Sequence, residues 1–238
     1  MNDITTYIDQ FVGSYNDKSK YYEYEDIKVP RVTQIISRCI HDDSFLFWAN
    51  SLGFKHLSYN KTINFAAEIG THCHSNIDSF IEDNEHIVEV NIPVESKLAY
   101  SSFLKWWNDI HSNAKVDVLM HEKTLVCKYF GGTLDGFYKI NGKKYLVDYK
   151  TSNHVSFRYL LQLAAYRYML RTELGLDMDG AIILQLSKNE IAYNEYVINF
   201  DQPSHLEYMD LCEQCFLSMV YTYYNLFAVE QKYKYLGW

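Results

Sequence analysis

The chain has 238 residues, 48% of them hydrophobic and 16% aromatic, with 30 Asp and Glu against 22 Lys and Arg for a formal net charge of −8. This excludes a disordered or fibrous chain, and at this length one domain with a substantial buried core is expected. Average acidity argues against a general nucleic-acid binder if the charge is evenly spread, and no run of about 18 apolar residues offers a membrane span.

The start, Met1-Asn-Asp-Ile-Thr-Thr, lacks the basic and apolar regions of a secretory signal, so a cytoplasmic, non-secreted protein is expected. No repeat, low-complexity tract or Pro/Gly/Ser-rich linker marks a boundary, which makes residues 1–238 a single domain. Residues 27–32 read as a short extended piece and 33–52 carry helical patterning. Residues 65–82 read as a helix with Ala67, Gly70, His74, Ile77 and Ile81 on one face. A second helix over 95–110 carries Leu98, Phe103, Trp106 and Trp107. The period then changes: 116–127, 132–140 and 143–148 are short runs rich in Val, Leu, Phe and Tyr, and Asn141-Gly142 is a strong hairpin signal. A helix over about 155–174 ends at Gly175. Strands follow at 181–186 and 193–198, and Ser204 and Glu207, at capping-box spacing, open a last helix reaching about 229. The order predicts an α/β fold, a mixed central β-sheet flanked by helices: a mainly helical part over 1–115, sheet and core over 116–200, and a C-terminal helix and tail over 201–238.

With Asn141 and Gly142 as the loop of a hairpin, Ile140 faces Lys143, Tyr138 faces Tyr145 and Asp135 faces Asp148. Opposed residues have Cβ atoms about 4.5–5.5 Å apart, and like charges there are destabilising. A divalent cation held by carboxylate oxygens resolves the conflict. If a bulge breaks the register, the two are unrelated surface charges. Lys150, two residues past Asp148, emerges on the same strand face. Arg158, Gln162 and Tyr166 form a polar stripe on the next helix, facing either solvent or, the reading preferred because the helix starts so near Lys150, the carboxylates.

Gly132-Thr-Leu-Asp-Gly136, Val147-Asp-Tyr-Lys-Thr-Ser152 and Gln162-x-x-x-Tyr166 together resemble the PD-(D/E)XK nuclease superfamily in its RecB-like exonuclease branch. Val29-Pro-Arg-Val-Thr-Gln-Ile-Ile-Ser37 and Gly70-Thr-His-Cys-His74 are similar to the entry segment and the "GTxxH" helix of the mitochondrial genome-maintenance exonuclease group. The resemblance spans about residues 29–166 and implies a restriction-endonuclease-like core with a helical N-terminal extension. It implies that His74, Asp135, Asp148 and the backbone carbonyl of Tyr149 ligate a metal, with Asp135, Asp148 and Lys150 catalytic. Glu122, Thr151, Ser152, Arg158, Gln162 and Tyr166 would support the site or the DNA. Without the resemblance, His74 reads as a core histidine; the rival His72 points nearly 160° away around the helix.

The implied activity is metal-dependent hydrolysis of DNA phosphodiesters from ends, on single strands in preference. The alternatives are a non-catalytic DNA-end-binding module on the same fold or an endonuclease. Oxygen ligands suit Mg²⁺ or Mn²⁺, and one imidazole tilts the choice to Mn²⁺. Some RecB-like relatives carry a four-cysteine iron–sulfur cluster. Here Cys39 precedes the core and only Cys212 and Cys215 follow it, so no cluster is expected and those two read as buried small hydrophobes. With Cys73 and Cys127 the cysteines number five, which fits a reducing compartment. Tyr21, Tyr22, Trp106, Trp107 and 221–224 are candidate base-stacking positions. Between Lys123 and Arg171, nine Lys and Arg meet only Asp135 and Asp148, a net +7 against −15 elsewhere. The overall acidity therefore conceals a basic stretch around the expected cleft.

Overall fold

A computed structural model of the protein describes residues 13–16, 21–41, 43–83 and 92–237. Residues 1–12, on which the absence of a secretory signal was read, lie outside the described residues. Three short antiparallel strands come first: β1 (Gly13–Asn16), β2 (Tyr21–Tyr24) and β3 (Ile27–Val29). Helices α1 (Val32–Cys39), α2 (Asp43–Phe54), α3 (Tyr59–Asp83) and α4 (Val94–Asn113) follow. Then come β4 (Val116–Cys127), β5 (Phe130–Ile140), β6 (Lys143–Lys150), α5 (Phe157–Leu174), β7 (Gly180–Leu186), β8 (Tyr193–Asn199) and α6 (Pro203–Tyr235).

The five-stranded sheet has the order β4-β5-β6-β7-β8; β6 and β7 are parallel, bridged by α5, and every other pairing is antiparallel. Each of the central strands buries both faces. On β6, Leu146 packs into the cluster beneath α1, α5 and α6, while Val147 and Tyr149 pack into the cluster beneath α3 and α4. Asp148 and Lys150 share the alternation of Leu146, so they emerge on the α5 side. On the other face Phe103 and Trp106 of α4 are fully buried; side chains of this size contribute about 2–3 kcal/mol each on burial. No helix of the described residues is long and apolar enough to cross a membrane.

The sheet flanked by helices and the long C-terminal helix follow the sequence reading. Several details do not. The region 1–115 carries the three-stranded β1–β3 sheet as well as helices. β3 lies within the piece read as extended, whereas in β2 only Tyr22 is buried, between half-buried neighbours, which leaves no clear alternation to read. Tyr22 lies flat against Gly131, where an added Cβ would stand 2.6 Å from its ring, and bonds Thr133 Oγ1 at 3.0 Å. The helical pattern over 33–52 is two helices, α1 and α2. Ala67 is exposed; the buried face of α3 runs through Ile69, Cys73, Asn76 and Ile77. Ser204 does not cap α6: Gln202 is the N-cap and Pro203 the first helical residue, its fixed φ starting the helix earlier. Cys212 is buried but Cys215 is exposed, because it lies about 100° around α6 from the buried Phe216.

Candidate metal centre

The hairpin at Asn141-Gly142 has the register expected, from Ile140 opposite Lys143 to Gly136 opposite Val147. One position further on, the Asp135 carboxylate accepts the Tyr149 N–H at 2.7 Å instead of simply opposing Asp148. Asp135 is thereby locked to β6, and Asp148 is paired with Lys150, whose Nζ lies 2.6 and 2.7 Å from its two carboxylate oxygens.

The residue that joins Asp135 from the other side is Glu122. Met120, His121 and Lys123 of β4 pair with Phe137, Gly136 and Leu134 of β5, which puts Glu122 at the level of Asp135. Glu122 is in a left-handed conformation, φ 42°, within a strand already bulged between Val118 and Met120. Its carboxylate meets His74 Nδ1 at 3.3 Å, and the same nitrogen lies 3.8 Å from Asp135 Oδ1. Ligand atoms of His74, Glu122 and Asp135 all lie within 4.8 Å of one another. Beside them His121 Nδ1 sits 3.1 Å from Asp78 Oδ1. Asp78 is one turn beyond His74 on α3, so the helix delivers both side chains to successive residues of β4. Adjacent strand residues ordinarily point to opposite faces; the left-handed kink at Glu122 accompanies the exception.

Electrostatics match the crowding. Burial disfavours the His74 imidazolium, but Asp135 and Glu122 outweigh it and raise its pKa to about 9. Burial, helped by Asp135 and Asp78, raises Glu122 against the pull of His74. Burial pushes Asp148 up to about 6, with Asp135 adding to it and Lys150 opposing. Lys150 loses hydration too, yet Asp148 and Asp135 hold it firmly as the ammonium. Burial lowers His121 despite Asp78 and Asp135. Two carboxylates, Glu122 and Asp135, and the His74 imidazole around one point form a set that could hold a metal ion. With Nδ1 held by Asp78, the buried His121 Nε2 is left without a hydrogen bond.

The remaining expected residues fall around this centre. Tyr149 stacks its buried ring edge-on to His74 at 5.8 Å, and its hydroxyl bonds that of Tyr138. Lys150 Nζ lies 5.0 Å from the Tyr159 ring centroid. Thr151 lies against α3, 3.7 Å from where a Gly70 Cβ would be. Ser152 Oγ accepts from Tyr159. Gln162 donates to the Tyr166 hydroxyl at 3.2 Å, and Tyr166 feels the charges of Asp135 and Asp148. Arg158 is turned instead toward α1: with Gln162 it lines a pocket of about 340 Å³ shared with Thr33, Ile36 and Ser37, and it approaches the Ile40 carbonyl. His72 sits 3.9 Å from Glu68.

Sequence reasoning missed Asp78 and His121. Asp78 was legible as the i+4 neighbour of His74, whereas His121 needed the kink at Glu122. The basic stretch is also less free than its +7 suggests. Arg167 bonds Asp210, Arg171 bonds Glu213, Lys143 bonds Asp201 and Lys150 bonds Asp148. Of the stacking candidates, Trp106 and Tyr22 are buried, and Tyr221 is largely exposed.

No family model and no curated protein matches the chain. Among solved structures, one described as "Crystal structure of SSO0001" is similar at 18% identity and a TM-score of 0.31, over 53% of this chain and 63% of that one. A likeness this slight leaves the fold to be argued from the chain itself.

Proposed function

We propose that the protein is a metal-dependent deoxyribonuclease of the PD-(D/E)XK type, RecB-like, acting as an exonuclease on single-stranded DNA or DNA ends. The observation that supports this best is the convergence of His74, Glu122 and Asp135 beside the buried Asp148–Lys150 pair. His74, Glu122, Asp135 and Asp148 would hold Mg²⁺ or Mn²⁺, which supplies an activated water and counter-charge for a phosphoryl oxygen. Lys150, kept cationic by Asp148, neutralises charge developing on the phosphate. Asp135, through the Tyr149 N–H, ties the two strands so that these groups keep one geometry. Tyr166 and Gln162 form the wall on the α5 side.

The test is cleavage of an end-labelled single strand in Mg²⁺ and in Mn²⁺. Wild type releases short products, and Asp148→Asn is slower by about a hundredfold or more. If wild type binds the strand but leaves it intact in both metals, a DNA-end-binding module replaces the enzyme. A circular strand that is cut makes it an endonuclease.

A further inference from the structure

A second polar pocket, about 300 Å³, opens beyond the end of β6, lined by Ser152, Asn153, Lys188, Asn189, Glu190 and Asn194. Its wall includes Gln185, on the strand beside Lys150. Gln185 on β7 is the register partner of Lys150. Its Nε2 donates to the Ser152 carbonyl at 2.8 Å, and its Oε1 accepts from Asn194 Nδ2 at 3.2 Å. Ser152 itself is two residues past Lys150, at most about 7 Å of chain.

Lys188 is half-buried, and among the described residues it makes no ion pair. Burial disfavours its ammonium, and Glu95 opposes that effect only in part. A partly desolvated cation that Glu95 balances only in part is costly, and an anion relieves the cost. The neighbouring Asn and Ser side chains supply neutral donors, the residue types that hold phosphate oxygens alongside Lys. The loop is also fixed in advance. Buried Ser102 of α4 accepts from Ala192 N at 3.1 Å and lies 3.0 and 3.2 Å from the Ser187 and Glu190 carbonyls. Ser187 N donates to Ala192 O at 2.9 Å, and Asn189 N donates to Ser187 Oγ at 3.3 Å. A preformed loop loses little freedom on binding.

We propose that this pocket binds a backbone phosphate of the nucleic-acid strand next to the scissile one, with Lys188 as its cation. The proposal rests on the nuclease reading and adds where the strand runs, past Lys150 and over the β7–β8 turn.

The experiment measures binding of a fluorescein-labelled oligothymidylate by anisotropy in Ca²⁺, over a range of salt concentrations, for wild type, Lys188→Gln, Lys188→Arg and Asn194→Ala. Lys188→Gln is expected to weaken binding several-fold and to make the slope of log K against log[salt] shallower by about 0.7, one phosphate contact on a single strand. Lys188→Arg keeps the wild-type slope, and Asn194→Ala weakens binding with the slope unchanged. Wild-type affinity and slope in Lys188→Gln overturn the subsite and leave the nuclease reading standing. Absence of salt-dependent binding by wild type overturns both. Should Lys188→Gln shift the unfolding transition, Asn194→Ala decides: binding equal to wild type overturns the subsite.

Discussion

Glu122 holds φ at 42°, a conformation that costs a non-glycine residue about 1–3 kcal/mol. Burial, helped by Asp135 and Asp78, also pushes its carboxyl toward the neutral form against the pull of His74. A side chain retained under both penalties has work other than stability. Above about pH 9, where the His74 contact adds no stability, Glu122→Gly therefore unfolds in EDTA at the wild-type temperature or above it, and it binds Mn²⁺ more weakly. A fall of several degrees in Tm would show that the side chain is structural. His74 gives a second prediction. Its pKa of about 9 in the metal-free protein lies above the ordinary histidine value, so the folded state binds the proton more tightly than the unfolded one. Its stabilising contribution is complete below about pH 6.5 and is lost as pH rises through about 9. The imidazole resonances of His74, followed by NMR in EDTA, should titrate near 9; titration near 6.5 contradicts the carboxylate contacts.

Two glycines separate steric need from sequence pattern at the level of elements. A Cβ on Gly132 of β5 would stand 2.5 Å from Tyr166 Cε1, so Gly132→Ala pushes α5 from the sheet. Overpacking of this kind costs about 1–3 kcal/mol. Gly70, within the motif that led to His74, meets nothing nearer than Thr151 Oγ1 at 3.7 Å. Gly70→Ala is thus expected to raise stability by up to about 1 kcal/mol through helix propensity. Denaturant unfolding of the pair checks both signs. The docking of α5 on α6 depends on Arg167, buried and bonded to Asp210 at 2.6 Å with Glu213 at 3.4 Å. Arg167→Ala leaves Glu213 to Arg171 alone and removes the bond to Asp210, a loss of about 2 kcal/mol by the same measurement. Such elements were legible where one signal governed each: the Asn-Gly turn fixed the β5–β6 register, and Gly175, φ 63°, ends α5 as read. Strand β2 was not, because contacts of Tyr22 with Gly131 and Thr133, far away in the chain, hold it.

Across the whole molecule, the shared strand face of Asp148 and Lys150 and the approach of Asp135 to β6 could be read from a strand alternation and a hairpin register. Their division of labour could not. The fold couples Asp148 to Lys150 and gathers Glu122 with His74 and Asp135, because a kinked β4 turns toward α3. The charge pattern shows the same limit. A window of nine cations reads as a basic surface, yet α6 supplies Asp210 and Glu213 to neutralise Arg167 and Arg171. Under the proposed function, affinity for DNA would rest on the ion site and a few neighbouring cations, Lys188 among them, more than on a broad positive face. The most direct measurement is the rate of nucleotide release from a labelled single strand as Mn²⁺ is titrated, for wild type and His74→Ala. Wild type should cleave, with the half-saturating Mn²⁺ concentration raised about tenfold or more in the variant. Wild type inert at every Mn²⁺ concentration, or a variant that responds to Mn²⁺ as wild type does, would contradict the account.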